Sequence, residues 1–277
     1  MELRGDYVNI YYRGGNLVKI ALQGSTDTAV AAFDRNYFRV RGTVAIPEVV
    51  DSLPRRLGGR EDVRQWLNAA PTLKQAMDRR FGEGPKDERE FQQRILRDNN
   101  FGTVARSTDY FICDIEYQNP VGRFDMIAVH WPSTSADRKK NRDRDLAFIE
   151  VKHGDSALEG KAGLHEHIKG VNKFAADSRK LDLLKNDMVE LFNHKRTLDL
   201  VDCGKNLQSF SVRKPKLILA LVNHDPASSK LRRLLDECPE SPHVELCVVT
   251  ASLLGYGLYD QGTHAVPEAR KRFSDYI

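Results

Sequence analysis

Apolar positions along this chain first alternate, then recur every three or four residues, then close into short unbroken runs. Val8, Ile10 and Tyr12 alternate with polar neighbours, and Leu17-Val18-Lys19-Ile20 resumes the pattern beyond Gly14-Gly15. Two strands joined by a hairpin are therefore predicted. Asn36-Tyr37-Phe38-Arg39-Val40 reads as a third short strand. From Ile46 to Phe81 the spacing turns helical, with Val63, Trp66, Leu67 and Ala70, then Leu73, Ala76 and Met77, and with Pro54 and Pro71 as interruptions. Gly82-Glu83-Gly84-Pro85 is the strongest boundary signal. It reads either as the boundary between an N-terminal β/α module, residues 1–82, and a larger domain, residues 83–277, or as a loop inside one domain.

The larger domain begins with a helix from Asp87 to Asp98, whose apolar stripe is Phe91, Ile95 and Leu96. Three strands follow: Tyr110 to Ile115, a turn at Asn119-Pro120-Val121-Gly122, then Phe124 to Trp131 and Leu146 to Lys152. A long helix is predicted from Lys161 to about Phe192, carrying Leu164, Ile168, Val171, Ala175 and Leu181 on one side. Leu217 to Val222 is apolar throughout and reads as a strand buried on both faces. A helix, Lys230 to Asp236, and a strand, Val244 to Val249, complete the pattern. Helices between strands in this order make an α/β fold around a mixed sheet.

Composition narrows the class. The 277 residues are 40% hydrophobic and 30% charged, with a net charge of +4. That is the make-up of a globular chain with a real core, and its mild positive excess permits an anionic partner. No apolar run approaches the ~20 residues that span a bilayer. The first residues lack the apolar core of a secretion signal, so a cytoplasmic protein is expected. Cys113, Cys203, Cys238 and Cys247 are scattered, which fits reduced, mostly buried thiols better than disulfides or a zinc site.

The chemistry concentrates on two neighbouring strands. In Phe148-Ile149-Glu150-Val151-Lys152, alternation puts Glu150 and Lys152 on one face, and an acid and a lysine inside an apolar strand are costly without partners. Arg123, Asp125, Ile127 and Val129 share a face of the preceding strand. If the two strands pair with these faces aligned, Asp125 and Glu150 become adjacent carboxylates, the oxygen donors a hard divalent cation wants. Lys152 would then stand beside the metal and the attacking water. The plainer alternative makes Glu150-Lys152 a surface ion pair and Asp125 an ordinary acid near a turn.

Phe124-Asp125 with Glu150-Val151-Lys152 resembles the PD-(D/E)xK phosphodiesterase superfamily of restriction endonucleases and Holliday-junction resolvases. The resemblance runs from about residue 85 to 223 and includes the order helix, three strands, helix, strand. Phe124 replaces the proline of the motif, and a charged insertion, Ser133 to Arg144, lengthens the connection between the two strands. The resemblance implies a restriction-endonuclease-like α/β fold and a Mg²⁺ (or Mn²⁺) held by Asp125, Glu150 and Glu88, the acid of the first helix. Helical spacing agrees, since Glu88 is three before Phe91 whereas Glu90 sits with Arg94 and Arg97 on the solvent side.

His167 falls on the packing stripe of the helix after the second motif strand, three after Leu164 and four before Val171. It reads either as a core histidine with one satisfied hydrogen bond or as a residue reaching the metal or the scissile phosphate. His165, two residues away, diverges by about 200° on a helix and does not share a metal with it. Arg138, Lys139 and Lys140 lie in the charged insertion, by default a solvated loop, and Lys161 precedes the next helix; they are candidate phosphate contacts.

The expected function is a metal-dependent nuclease acting on nucleic acid, DNA rather than RNA, with the N-terminal module serving recognition, homodimerisation or regulation. Two rivals stand against it: a non-catalytic nucleic-acid-binding module on the same scaffold, and an enzyme of unrelated chemistry in which Glu150-Lys152 is structural. No Walker-type glycine-rich loop, Gly-x-Ser-x-Gly elbow or His-Glu-x-x-His supports the second.

Overall fold

The computed structural model describes residues 1–23, 28–39, 45–51, 55–119, 122–160, 163–225, 227–251 and 255–274. It forms two compact units, Met1–Gln93 and Arg94–Ile277.

The N-terminal unit contains β1 (Glu2–Arg4), β2 (Tyr7–Tyr12), β3 (Gly15–Gln23), β4 (Thr28–Ala32), α1 (Glu48–Asp51), β5 (Arg55–Leu57), α2 (Arg60–Glu83) and the start of α3 (Asp87–Asn100). Its five strands form one antiparallel sheet in chain order. The β2–β3 hairpin turns on Arg13 and Gly14, both at positive φ (44° and 77°), as a two-residue loop matched to strand twist requires. Gly15 then starts β3 where Tyr37, Met77 and Phe81 approach so closely that a Cβ would lie 2.4–2.7 Å from them.

Three expectations fail here. The segment read as a strand at Asn36 is a 3₁₀ turn, Arg35–Phe38, capped by the Asp34 side chain, and its Tyr37 and Phe38 rings pack with Phe33. Val40 lies outside the described residues, as does Pro54. Pro71 does not interrupt α2: it lies on the exposed face, one turn after exposed Leu67, where a freed carbonyl can take water. The buried stripe of α2 is Trp66, Ala69, Leu73, Met77 and Phe81, leaving Val63 and Leu67 exposed.

The C-terminal unit holds the rest of α3, α4 (Gly102–Ala105), β6 (Tyr110–Asn119), β7 (Gly122–His130), α5 (Ser135–Lys139), β8 (Asp145–His153), α6 (Leu164–Ala175), α7 (Ser178–Thr197), β9 (Lys216–Val222), α8 (Ser229–Asp236), β10 (Glu245–Ala251), β11 (Thr263–Ala265) and α9 (Val266–Ser274). Its mixed six-stranded sheet runs β11-β10-β9-β8-β7-β6, with β8, β9 and β10 parallel and the outer pairings antiparallel. The α/β order expected from Asp87 onward is found, extended by β11 and α9. The tip of the β6–β7 turn, Pro120 and Val121, is outside the described residues.

The long helix expected from Lys161 to Phe192 is two helices. Asp177 stops it: its backbone is extended and its carboxylate accepts the Lys180 N–H at 3.1 Å, capping α7. α6 and α7 together cover one face of the sheet, placing Leu164, Ile168, Val171, Phe174, Leu184, Met188 and Phe192 against Phe111, Phe148, Leu217 and Leu219. The charged insertion is not wholly a loop. It contains α5, and Arg144 is 2% exposed, its guanidinium 4.3 Å above Trp131. The described cysteines form no disulfide, and among the described residues no helix is long and apolar enough to cross a membrane.

Candidate active site

β7 and β8 pair from His130↔Asp145 to Met126↔Ile149, where the recorded ladder ends. Asp125 and Glu150 are the next residues on each strand. There the backbone N–H of Val151 is taken by a side chain, Asp125 Oδ2, at 3.0 Å. The carboxylate is thus held at the point where the two strands leave their regular pairing.

Glu150 and Lys152 are each 3% exposed, in a strand whose other residues up to Lys152 are all buried. Such charges persist only with partners. Lys152 Nζ lies 2.7 Å from Glu150 Oε1, and His167 Nδ1, reaching down from α6, lies 3.0 Å from Glu150 Oε2. His167 is therefore more than a core histidine: its side chain is 28% exposed and bridges solvent to the buried acid. His165 does not join it. Its Nε2 faces the Leu234 carbonyl at 2.7 Å.

Asp125 has the least comfortable charge. Burial, and then the neighbouring Glu150, push its pKa from an ordinary carboxylate value to about 7, against the opposing pull of the Val151 N–H and Lys152. Glu116 adds to this, and no sequence pattern pointed to it. It sits on β6 between the pairs Ile115↔Met126 and Tyr117↔Phe124, across from Asp125, at positive φ (53°) and ion-paired with Arg123. Register alone brings it there.

Phe124, which stands where the motif has proline, packs its ring 4.8 Å from Phe148 and 4.9 Å from Phe174. It ties the start of the site to the α6 core.

Glu88 is in the first turn of α3, half-buried, and belongs to the N-terminal unit. Glu90 is not on a free solvent face; Arg13 Nε stands 3.4 Å from it. Lys139 and Lys140 are exposed, at the end of α5 and just beyond it. Arg138 turns inward, 4.4 Å above the Phe111 ring, and donates to the Thr108 carbonyl at 2.5 Å. Lys161 lies outside the described residues. Among the described residues, no group of three or more His, Cys, Asp or Glu side chains is placed to hold a metal ion.

Compared with known proteins, the chain matches no family model and no curated protein. One solved structure similar to it is that of Pyrococcus furiosus SfsA in complex with Ca²⁺, at 13% identity over 95% of this chain and 94% of that chain, with a TM-score of 0.26. A likeness of that size carries no argument here.

Proposed function

We propose that the chain is a divalent-metal-dependent nuclease of the PD-(D/E)xK type, acting on DNA. The observation that carries this reading is the buried Asp125–Glu150 pair with Lys152 beside it, at the point where the β7–β8 ladder ends. Two carboxylates are a sufficient protein share for Mg²⁺, which usually keeps several waters and takes the rest of its shell from substrate phosphate. The raised pKa of Asp125 marks a carboxylate lacking a countercharge, which a cation would supply. Asp125 and Glu150 are the residues that would hold it; the proposal does not rest on Glu88.

A bound divalent cation would supply a Lewis acid for the phosphoryl oxygens and a water of lowered pKa. The chain's own residues do the rest. Lys152 brings a fixed positive charge to the site, where it orients the attacking water and offsets charge growing on the phosphate. Glu150, clamped by Lys152 and His167, keeps its carboxylate in one orientation. His167, part-exposed above it, is within reach of a phosphate entering from solvent. Lys139 and Lys140 supply exposed charge for sequence-independent phosphate contact.

One observation favours a second reading, a binding module without catalysis. Glu150 already has Lys152 and His167 within ion-pair distance of its two oxygens, so its charge has neighbours without a metal, although Oε1 makes no hydrogen bond.

The two part in a cleavage assay on a panel of DNA and RNA with Mg²⁺ or Mn²⁺. The nuclease reading expects cutting by the wild type and its loss in Asp125→Asn, Glu150→Gln and Lys152→Ala, with nucleic-acid retention intact. A wild type that binds tightly and cuts nothing, and whose Tm does not rise with Mg²⁺, favours the binding module.

A further inference from the structure

The opposite end of the same sheet carries a cleft that the nuclease reading does not use. From Asp125, β7 continues to His130 and Trp131 follows, so the cleft lies about 20 Å from the carboxylates, six residues of strand at ~3.3 Å each. It encloses about 440 Å³ and is lined by Arg106, Phe111, Trp131, Arg138, Cys203 and Lys205 among others.

Its charge is not balanced from within. The lining carboxylate, Asp202, is engaged by Arg106 at 3.2 Å. Arg138 spends one nitrogen on the Thr108 carbonyl, and its Nε meets no acceptor. Arg144, behind Trp131, gives Nη2 to the carbonyls of Asp137 and Lys140, while its Nε and Nη1 meet none. Neither guanidinium has a carboxylate within ion-pair distance among the described residues; Asp109 favours the charge of Arg138 and Asp137 that of Arg144 only from farther off, and the Cys203 thiol is a further partner of Arg138. Burial holds both below the usual guanidinium range, and it pushes the Cys203 thiol up, so that thiol brings no negative charge. At the rim, Lys205 Nζ is steadied by the Lys139 carbonyl (2.5 Å) and Asn141 Oδ1 (3.0 Å).

Buried cations without an anion are costly, so the ligand that suits this cleft is a compact, multiply charged anion with several acceptor oxygens. A terminal phosphate carries about −1.5 to −2 charges at neutral pH and three such oxygens. A phosphodiester carries only one charge and offers two free acceptor oxygens rather than three. The volume falls in the range of small-molecule sites.

We propose that this cleft binds the terminal phosphate of a phosphomonoester, supplied by a free mononucleotide or by the 5′ end of a nucleic acid. The assignment is independent of whether the protein cuts DNA.

The test is calorimetric titration of the full chain with adenosine 5′-monophosphate, adenosine, and one short oligonucleotide in 5′-phosphorylated and 5′-hydroxyl forms. Adenosine monophosphate should bind and adenosine should not. Arg106→Ala combined with Lys205→Ala, the first at an exposed and the second at a part-exposed position, should weaken binding at least about ten-fold, as loss of charge-assisted hydrogen bonds implies. Asp125→Asn should bind like the wild type, which separates this site from the carboxylates. A ten-fold preference for the phosphorylated oligonucleotide assigns the nucleic-acid end as the source; equal oligonucleotide affinities with monophosphate binding intact assign the free nucleotide. Equal binding of adenosine and its monophosphate, no binding of either with no oligonucleotide preference, or an unaffected double variant overturns the proposal.

Discussion

β7 and β8 carry a polar cluster at each end, built from similar residue types and opposite in electrostatic character. At one end, His130 stands between Asp260 Oδ2 (2.8 Å) and Asp145 Oδ2 (3.8 Å). Arg213 and Ser211 also reach Asp145, and the Tyr110 hydroxyl reaches Asp260. Burial disfavours charge on all three groups, yet hydrogen bonds to His130 and its neighbours hold Asp145 and Asp260 below the usual carboxylate range, and those acids hold His130 above its ordinary value. At the other end, Asp125 faces Glu150 and is pushed up to about 7. One cluster stabilises its charges; the other stores an unfavourable one. Groups arranged against their own charge state are candidates for function, whereas complementary networks tie elements together. Here the His130 cluster anchors the segment after Tyr259 to the start of the sheet.

The largest effect that tests this contrast is kinetic. Removing a comparable electrostatic group from other active sites costs about 10²–10³ in rate. Lys152→Ala should therefore reduce Mg²⁺-dependent cleavage at least that far, while His130→Ala should leave kcat nearly unchanged in a protein that still folds. Equal losses in both would erase the distinction.

Next in size is a pH effect on stability. Asp125 has a folded pKa near 7, above its unfolded value of about 4, so its carboxyl favours folding when protonated, and that contribution is lost as pH rises from 4 through 7. The cost at pH 8 is on the order of 4 kcal/mol, and Asp125→Asn should relieve much of it. Urea unfolding should show the variant more stable than wild type at pH 8 and nearly equal at pH 4. Added Mg²⁺ should raise the Tm of the wild type and not of the variant.

The His130 cluster should instead lose stability at both pH limits. His130, raised when folded, contributes stability that is present below its unfolded pKa near 6.5 and lost as pH rises through its higher folded value. Asp145 and Asp260, lowered when folded, contribute stability that is present above about pH 4 and lost in acid. His130→Ala should cost about 1–3 kcal/mol at pH 6, because it removes the hydrogen bonds from the ring to Asp145 and Asp260, and less at pH 9. The smallest effect belongs outside both clusters. Lys169→Ala breaks an exposed pair with Glu166 and should change stability by less than about 0.5 kcal/mol.

Much of the fold was legible because it depends on local periodicity. The apolar run Leu217–Val222 is a fully buried strand, and the Phe91–Ile95–Leu96 stripe is a buried helix face. Errors arose where two local signals competed. The apolar stripe ran through Asp177, whose capping hydrogen bond ended the helix. Aromatic Tyr37 and Phe38 resembled strand residues until their packing with Phe33 became the stronger constraint. Arg138 looked like one more solvated cation, because a linear pattern does not say which guanidinium finds an aromatic ring.

By itself the sequence determined which residue types lie on which strand: alternation within a single segment is enough to put Glu150 and Lys152 on one buried face, and Asp125 on the preceding strand. Tertiary structure decided everything that depends on two segments meeting. The end of the β7–β8 ladder at Met126↔Ile149 lets Asp125 take the Val151 N–H, β6 register sets Glu116 opposite it, and the seating of α6 puts His167 on Glu150. The physical reason is that strand alternation is a short-range steric property of the backbone, whereas a carboxylate's pKa depends on burial and on charges contributed by distant parts of the chain.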